Sequence, residues 1–350
     1  MFLSWDNYRD WLEDVLIDKQ QVFPAVEVPK PADFHTDSRT IRAGQWFVPI
    51  LGEKFDGHGF IAKALEAGAV GYFYVPERMI SKDRDVLSLG VPVTDPLLAL
   101  QKVAGGWRDE LKNLKLVALT GSVGKTTTKN LLGCIIDLVG DGFAAPGSFN
   151  NEIGVPLNLL KLTPQHKFAA LEFGARHKGD IRFLNELAKP NIAACLNVGS
   201  SHLGEFGSFE VLFKTKSEMF FASPSDAKIV VYHDQEELLQ EALKAGKQVV
   251  SFGRNPKATV RLETEPKLNK LNLEFKLKIN GKSHDFAVQN LSMATPINAA
   301  AACAMAFACG ISVEHMQKGL ANYKPPTGRF RPVQLQNFLL VDDAYNANPE

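Results

Sequence analysis

The residues best suited to chemistry lie in residues 115–129, which read KLVALTGSVGKTTTK. The aliphatic run at its start predicts a buried strand, the glycines predict a turn, and the periodicity from Lys125 predicts a helix through Leu138. In such a strand–turn–helix, backbone N–H groups and the positive end of the helix dipole face an anion. The spacing G-x-x-x-x-G-K-[ST] is not met, because Leu119 stands where the first glycine belongs. We predict a tighter variant of a nucleotide-phosphate loop, and an ordinary turn with a chance lysine is the alternative.

The phosphate loop assigns two side chains to separate tasks. Lys125 is expected to reach the terminal phosphates, and the Thr126 hydroxyl is expected to hold Mg²⁺. The other loop residues predicted to bind the nucleotide are Gly121, Ser122, Val123, Gly124 and Thr127.

Three residues further along the chain extend the candidate site. Glu172 ends an apolar strand, and ligands of parallel α/β sheets bind where strands end, so its carboxylate could hold Mg²⁺. His202 follows the next apolar strand and shares that sheet edge. A solvated acid and a structural histidine are the respective alternatives. Lys216 lies on a lysine-rich helix, where composition alone predicts a solvated face.

The elements that position these residues predict an α/β fold. Residues 1–95 predict a small α/β domain, with an amphipathic helix over residues 4–16. Over residues 96–332, apolar strands alternate with helices, which predicts a mainly parallel sheet flanked by helices. Residues 258–290 predict a small antiparallel appendage, because Asn280-Gly281 is a strong hairpin signal.

A glycine-rich stretch of the first domain, residues 52–59 (GEKFDGHG), places an Asp and a His between glycines. That composition suits a loop that closes on a ligand. From the residues alone, turn chemistry without a ligand is the preferred interpretation.

Composition excludes several classes of protein. The 350 residues carry a formal net charge of +0, so no basic surface for nucleic acid or a membrane is indicated. The N-terminus is acidic where a signal peptide is basic. The longest apolar run, residues 299–311, is shorter than the roughly 20 residues that span a bilayer. The four cysteines form no C-x-x-C pair, which favours buried thiols in a reducing cytoplasm over a metal cluster.

These residues together resemble the Mur ligase family, the ATP-dependent amide-bond ligases of peptidoglycan precursor synthesis. The motifs that carry the resemblance span nearly the whole chain and read TGSVGKTTTK, SFNNEIGVPLNLL, LEFGARHKGDI, LNVGSSHLGEFGS, KTKSEMF, TPINAAAA, TGRF and DDAYNANP. The last motif is the most discriminating. It resembles the ligases that add D-alanyl-D-alanine to UDP-N-acetylmuramoyl-tripeptide, whereas ligases that add the third residue usually carry a DYAHTPD-like run.

The resemblance implies a two-step reaction. The peptide carboxylate attacks the γ-phosphate of ATP to give an acyl phosphate and ADP, and the amine of D-alanyl-D-alanine then displaces phosphate. It also implies a monomer in the bacterial cytoplasm that neither binds nucleic acid nor inserts into a membrane.

The resemblance further implies residue roles that the residues alone do not give. Thr126 and Glu172 would hold a first Mg²⁺ and His202 would contact a second. Lys216 matches the family lysine that CO₂ carbamylates, which turns a cation into an anion able to face Mg²⁺. Asn298 and Arg329 would contact the nucleotide, and Asp343 the ribose. The UDP-substrate side would comprise Ser38, Arg39, Gly52, Asp56 and Gly57, with Asn150 and Asn151 near the sugar and peptide.

Two departures from the family pattern limit how far the family's residue roles and activity apply to this chain. Arg176 and Asp180 replace an Asn and a Glu that family members often carry, and no role is transferred to Arg176. The family also has a third, C-terminal domain that binds the incoming amine. Residues 333–350 would be only its start, and they contain a buried-looking strand over residues 338–342. We therefore expect this chain to bind ATP and the UDP-substrate without completing ligation.

Three other interpretations of the function are compatible with the sequence. A folylpolyglutamate synthase-like ligase shares the central domain but not the N-terminal TDSR…DGHGF pattern. A non-catalytic relative would keep nucleotide binding alone. A generic P-loop NTPase would not need His202 and Lys216 in these positions.

Overall fold

The structure is a computed structural model that describes residues 3–20, 23–24, 26–81, 83–199 and 203–345. Its α-helices are α1 Trp5–Leu12, α2 Ile61–Glu66, α3 Arg84–Leu87, α4 Pro96–Glu110, α5 Lys125–Leu138, α6 Gly154–Leu160, α7 Asp180–Ala188, α8 Leu203–Phe206, α9 Phe209–Phe221, α10 Glu236–Lys244, α11 Thr295–Ala308 and α12 Val313–Asn322.

The β-strands of the described residues follow the same order along the chain. They are β1 Phe34–His35, β2 Trp46–Phe47, β3 Gly71–Tyr74, β4 Gly90–Pro92, β5 Lys115–Thr120, β6 Gly142–Ala144, β7 Phe168–Glu172, β8 Ile192–Cys195, β9 Lys228–Tyr232, β10 Val249–Gly253, β11 Val260–Leu262, β12 Lys267–Asn269, β13 Asn272–Ile279, β14 Lys282–Gln289, β15 Arg331–Gln334 and β16 Leu339–Asp342.

The chain divides into two compact units. The first comprises Met1–Lys112 and Glu152–Pro164, and the second comprises Asn113–Asn151 and Gln165–Glu350. The first unit includes α4, which the sequence analysis grouped with the central domain. The reason is that α4 packs on α6, where the indole N–H of Trp107 donates to the carbonyl of Leu162 at 2.9 Å.

The first unit is built on a parallel sheet in the order β1-β2-β3-β4. Its core is aromatic, and Trp46 and Phe73 pack there with ring centroids 5.9 Å apart. Helix α1 ends at Leu12, four residues before the predicted end. Val15 nevertheless stays buried, because its carbonyl accepts the Thr94 N–H at 2.9 Å and the chain follows the edge of the sheet there instead of coiling.

The second unit contains the sheet that positions the candidate site. Its order is β12-β13-β11-β10-β9-β8-β5-β7-β6, with β14 on β13. The pairs from β6 through β11 are parallel, and those involving β13 are antiparallel. Helices α5, α11 and α12 pack together beside this sheet. The predicted fold class is confirmed: a mainly parallel sheet flanked by helices, with a small antiparallel appendage.

The hairpin prediction is also confirmed. Asn280 and Gly281 both have positive φ, +50° and +79°, and they join β13 to β14. This is the backbone that an Asn-Gly turn favours, because its twist matches that of the flanking strands.

The prediction of a buried strand at residues 338–342 is wrong in its burial. The strand β16 forms, but among the residues described it pairs only with β15, in a separate two-stranded antiparallel sheet. Leu340 is 48% exposed and Phe338 is 61% exposed. An apolar run therefore identified the strand without identifying a core to bury it. Within the described ranges, no helix combines the length and apolar content needed to cross a membrane.

Candidate active site

The phosphate loop leads from β5 into α5, as the sequence predicts. Gly124 is the N-cap of α5 with φ +80°, a left-handed conformation that favours glycine. A Cβ atom placed on Gly124 would lie 2.5 Å from Oδ1 of Asn298. The glycine is therefore needed both for its backbone conformation and for the close approach of Asn298, which α11 brings to the loop.

Asn197, which the sequence analysis did not select, braces the same loop. Its Oδ1 accepts the backbone N–H groups of Ser122 and Val123, both at 3.0 Å, and its Nδ2 donates to the Val123 carbonyl at 3.2 Å. The Ser122 hydroxyl accepts the N–H of Gly199 at 2.9 Å. Asn197 follows β8 at the carboxyl edge of the sheet. That position in the sequence is the feature that could have predicted a role for it in the site.

Lys125 folds back over the loop that precedes it. Its Nζ donates to the carbonyls of Gly121 at 2.7 Å and Ser122 at 3.0 Å. Burial lowers the pKa of Lys125, the Glu172 carboxylate opposes that shift, and the Arg329 guanidinium reinforces it. The ammonium of Lys125 is thus bound by carbonyl oxygens of the phosphate loop itself. It lies where the sequence predicts a phosphate-binding lysine.

Glu172 is held by one donor on each carboxylate oxygen. The Thr126 hydroxyl donates to Oε2 at 2.8 Å, and the Asn150 amide donates to Oε1 at 2.8 Å. Glu172 is only 3% exposed, so the alternative of a solvated loop acid is wrong. The Arg329 guanidinium donates to the Thr126 hydroxyl at 3.2 Å. Two residues predicted to share a metal are therefore in direct contact, and a residue predicted to contact the nucleotide adjoins them.

Lys216 is buried against the loop, so the expectation of a solvated face is wrong. It is 2% exposed, and its Nζ donates to the Gly121 carbonyl at 3.2 Å. Burial, with a smaller contribution from Lys125, lowers the pKa of Lys216 to about 8. Lys214, two residues earlier, is exposed and pairs with Glu210 at 2.7 Å. Composition cannot separate these two lysines, because only the packing of α9 on the sheet decides which one faces inward.

A second buried lysine lies one turn along α5 from Lys125. Lys129 is 0% exposed, and its Nζ donates to the carbonyl of Gly147. Burial lowers the pKa of Lys129, and the Glu172 carboxylate opposes the shift. Lys129 is the last residue of the TGSVGKTTTK motif, and the sequence predicts no role for it.

The donors around Glu172 suit a hard cation. The hydroxyl of Thr126 and the carboxylate of Glu172 are oxygen ligands of the type that Mg²⁺ prefers. Across the part of the chain that the structure describes, no three His, Cys, Asp or Glu side chains are grouped to hold a metal. His202, expected to contact a second Mg²⁺, lies outside the described residues.

Residues 327–345 approach the site from the end of the chain. The guanidinium of Arg329 lies 4.2 Å over the ring of Tyr345, whose hydroxyl is 2.6 Å from the Ser148 hydroxyl. Asp343 accepts the Phe330 N–H at 3.3 Å. The structure thus brings Arg329 to Thr126, while the expected contact of Asp343 with a ribose stays a prediction.

In the first unit, the predicted UDP-substrate residues form two local clusters. Arg39 makes a two-pronged pair with Asp37 at 2.9 and 2.7 Å, beside half-buried Ser38. In the other cluster, Asp56 accepts from Nδ1 of buried His58 at 2.6 Å and from Arg78 at 2.9 Å.

The glycines of the residue 52–59 loop set its turns. The N–H of Gly52 donates to the Phe55 carbonyl at 2.9 Å. A Cβ atom on Gly57 would lie 2.6 Å from the backbone of Pro49, so only glycine fits there. These contacts are those of turn chemistry, and ligand binding by this loop stays a prediction.

Two protein-family models match this chain. The model of the Mur ligase middle domain matches residues 119–306, and the model of the Mur ligase family catalytic domain matches residues 34–108. The UDP-N-acetylmuramoyl-tripeptide–D-alanyl-D-alanine ligase of Synechocystis sp. is 33% identical over 98% of this chain and 72% of that protein.

Solved structures agree with these matches. The crystal structure of MurF from Acinetobacter baumannii aligns with a TM-score of 0.86 and 31% identity, covering 98% of this chain and 73% of that one. MurF ligase from Thermotoga maritima in complex with ADP aligns with a TM-score of 0.80 and 30% identity, covering 92% of this chain and 73% of that one.

Proposed function

The chain belongs to the Mur ligase family, and on that premise we propose that it is the ATP-dependent ligase that acts on UDP-N-acetylmuramoyl-tripeptide and D-alanyl-D-alanine. The identity and coverage of the named ligases favour this function over the folylpolyglutamate synthase-like and non-catalytic alternatives. A cytoplasmic location, a monomeric state and the expectation that this chain alone does not complete ligation stay predictions.

The observation that carries the proposal is the position of Lys216. Its ammonium and that of Lys125 donate to the same carbonyl oxygen, that of Gly121. A generic phosphate loop has no need of a second, buried lysine. Its lowered pKa leaves a larger neutral fraction, and the neutral amine adds CO₂, forming an N–C bond and releasing one proton. We propose that Lys216 is carbamylated in this way.

The first step activates the tripeptide. Its carboxylate attacks the γ-phosphorus of ATP, the bond to the ADP oxygen breaks, and an acyl phosphate and ADP result. This transfer depends on positioning and charge neutralisation. Lys125 and Arg329 supply fixed positive charge at the loop, and the N–H groups at the start of α5 face the phosphates. Asn298 would contact the nucleotide beside Gly124.

The second step forms the amide. The amine of D-alanyl-D-alanine attacks the acyl carbon, the bond to the phosphate oxygen breaks, and the nitrogen loses a proton. Keeping water away from the acyl phosphate is the main demand on the protein at this stage.

Magnesium fits the oxygen donors at the site. Thr126 and Glu172 would hold one ion, and His202 with carbamylated Lys216 would hold a second. When bound, the ions would neutralise the phosphate charge. Ser38, Arg39, Gly52, Asp56 and Gly57 are proposed for the uridine-diphosphate side, and Asn150 and Asn151 for the region of the sugar and peptide.

Trapping the activated carboxylate tests the proposal. The full chain is incubated with ATP, Mg²⁺, bicarbonate and UDP-N-acetylmuramoyl-tripeptide, and the acyl phosphate is captured with hydroxylamine while ADP is measured. We expect ADP release to require the tripeptide substrate, and Lys216→Ala to reduce it by about 100-fold or more, as loss of a transition-state charge contact does. The matched control is Lys214→Ala, an exposed lysine on the same helix, which should leave the rate unchanged. Hydrolysis of ATP without the tripeptide and without dependence on Lys216 would instead identify a generic NTPase.

A further inference from the structure

We infer that Lys129 is a positioning residue: from inside the second unit it anchors residues 146–151, the loop whose Asn150 orients the carboxylate of Glu172 for a divalent cation. This inference rests on the proposed function, because it takes Glu172 as the residue that holds the cation.

The loop over residues 146–151 contacts its surroundings at several points, and one of them is Gly147. Its backbone turns at Gly147, where φ is +58°, and Phe149 is 63% exposed. Lys129 reaches it from α5 and donates to the Gly147 carbonyl. The ammonium is fully buried, so it cannot serve as a surface cation for an incoming ligand. The hydrogen bond to Gly147 instead fixes the loop against α5.

The opposite end of the loop contacts the site. Asn150 donates to Oε1 of Glu172 at 2.8 Å, and the Asn150 carbonyl accepts the Gly174 N–H at 2.8 Å. The loop is therefore tied to α5 at Gly147 and to the end of β7 at Asn150. Moving Gly147 would move Asn150 with it, because only two residues separate the two attachments.

Helix α5 thus reaches Glu172 by two routes. Thr126 contacts Oε2 directly, and Lys129, three residues later on the same helix face, governs Oε1 through the loop. A carboxylate that holds a cation depends on such outer contacts for its orientation, and their loss typically weakens metal binding by about 10–100-fold.

The experiment measures cation binding rather than turnover. Mn²⁺, which electron paramagnetic resonance detects, is titrated into the full chain saturated with ADP, and the Kd of ADP is measured separately in EDTA. We expect Lys129→Met to raise the Kd of Mn²⁺ by about tenfold, since the substitution keeps the buried volume but loses the donor. The Kd of ADP in EDTA should change by less than about twofold, because the phosphate loop itself is intact.

Two further variants place the effect in the loop. Asn150→Ala should weaken Mn²⁺ binding to the same degree, and the double variant should add little, because both changes cut one chain of contacts. The matched control is Lys228→Met. Lys228 also donates to a backbone carbonyl in the second unit, that of Ala308 at 2.9 Å, and its loss should leave Mn²⁺ binding within about twofold.

The outcomes separate the inference from the proposed function. If the unsubstituted chain with ADP binds no Mn²⁺, the proposed function fails. If it binds Mn²⁺ and Lys129→Met binds it equally well, or if Lys228→Met is equally defective, the positioning role is overturned. An equal loss of ADP affinity in EDTA overturns it too. Should Lys129→Met not fold by circular dichroism, Asn150→Ala decides, and unchanged Mn²⁺ binding by that variant rejects the inference.

Discussion

At the scale of single residues, the candidate site brings three lysines to the loops at one sheet edge, and of these Lys129 and Lys216 are buried and Lys125 is half-buried. Lys125, Lys129 and Lys216 each donate to backbone carbonyl oxygens of loops at the sheet edge. Carbonyl oxygens compensate a buried ammonium only in part, and burial accordingly lowers the pKa of all three. These three lysines and Arg329 bring more cationic than anionic side chains to the site, which suits a ligand as anionic as a nucleoside triphosphate.

The pKa of Lys216 predicts a stability that depends on pH. Its folded pKa of about 8 lies below the ordinary 10.5, so the unfolded chain binds more protons between those values. The cost of burying the charge is then full below pH 8 and fades as the pH rises toward 10.5. In bicarbonate-free buffer, Lys216→Met should unfold at a higher temperature than the parent at pH 7, and the gap should shrink from pH 8 upward. A pH-independent gap, or one equally present in Lys214→Met, would contradict this.

At the scale of elements, lysines also donate hydrogen bonds to backbone carbonyls at the C-terminal ends of helices. Lys247 donates to the carbonyls of Phe220 at 2.8 Å and Ser223 at 2.6 Å, at the end of α9. Lys115 donates to the Cys309 carbonyl at 3.0 Å, just past α11. A cation there satisfies carbonyls that have no partner within the helix and favours the negative end of the helix dipole.

Removing the α9 contact should be measurable as stability. Lys247→Met leaves two carbonyls without this donor, and we expect the free energy of unfolding to fall by about 1–2 kcal/mol, the range for a half-buried charged hydrogen bond. Urea denaturation followed by circular dichroism measures the change. Lys244→Met, an exposed lysine paired with Glu241 on α10, is the control. An equal loss in both variants would mean that the helix end gains nothing from Lys247.

At the scale of the molecule, the fold was predictable and part of the site was not. Apolar strands alternating with helices require a covered parallel sheet, so the order of elements follows from periodicity. Lys125, Thr126 and Glu172 were predictable because their positions follow from the ends of strands and the start of a helix. Lys216 and Asn197 were not, because their roles depend on which side of an element packs inward. The resemblance, rather than the residues, supplied the role of Lys216.

Because the proposed residues for the uridine diphosphate and for the nucleotide lie in different compact units, substitutions in the two units should weaken the binding of different ligands. Arg39→Ala in the first unit should weaken binding of the UDP-substrate by about tenfold, the loss expected of a charged contact to phosphate, and leave the Kd of ADP unchanged. Thr126→Ala in the second should weaken ADP binding in Mg²⁺ by more than it weakens binding of the UDP-substrate, because the hydroxyl is lost as a Mg²⁺ ligand. Isothermal titration of each ligand measures both. If Arg39→Ala left the Kd of the UDP-substrate unchanged, the proposed role of Arg39 in binding that substrate would be rejected.

The exposed strand β16 has a practical consequence. Its apolar residues Leu339, Leu340 and Val341 lie in a two-stranded sheet, with exposed Phe338 directly before them. Each strand of that sheet leaves one edge without a partner among the described residues. Unpaired edges rich in apolar side chains are templates for pairing between molecules. Concentrated solutions of this chain should accordingly aggregate through this sheet, and a rise in light scattering with protein concentration measures it.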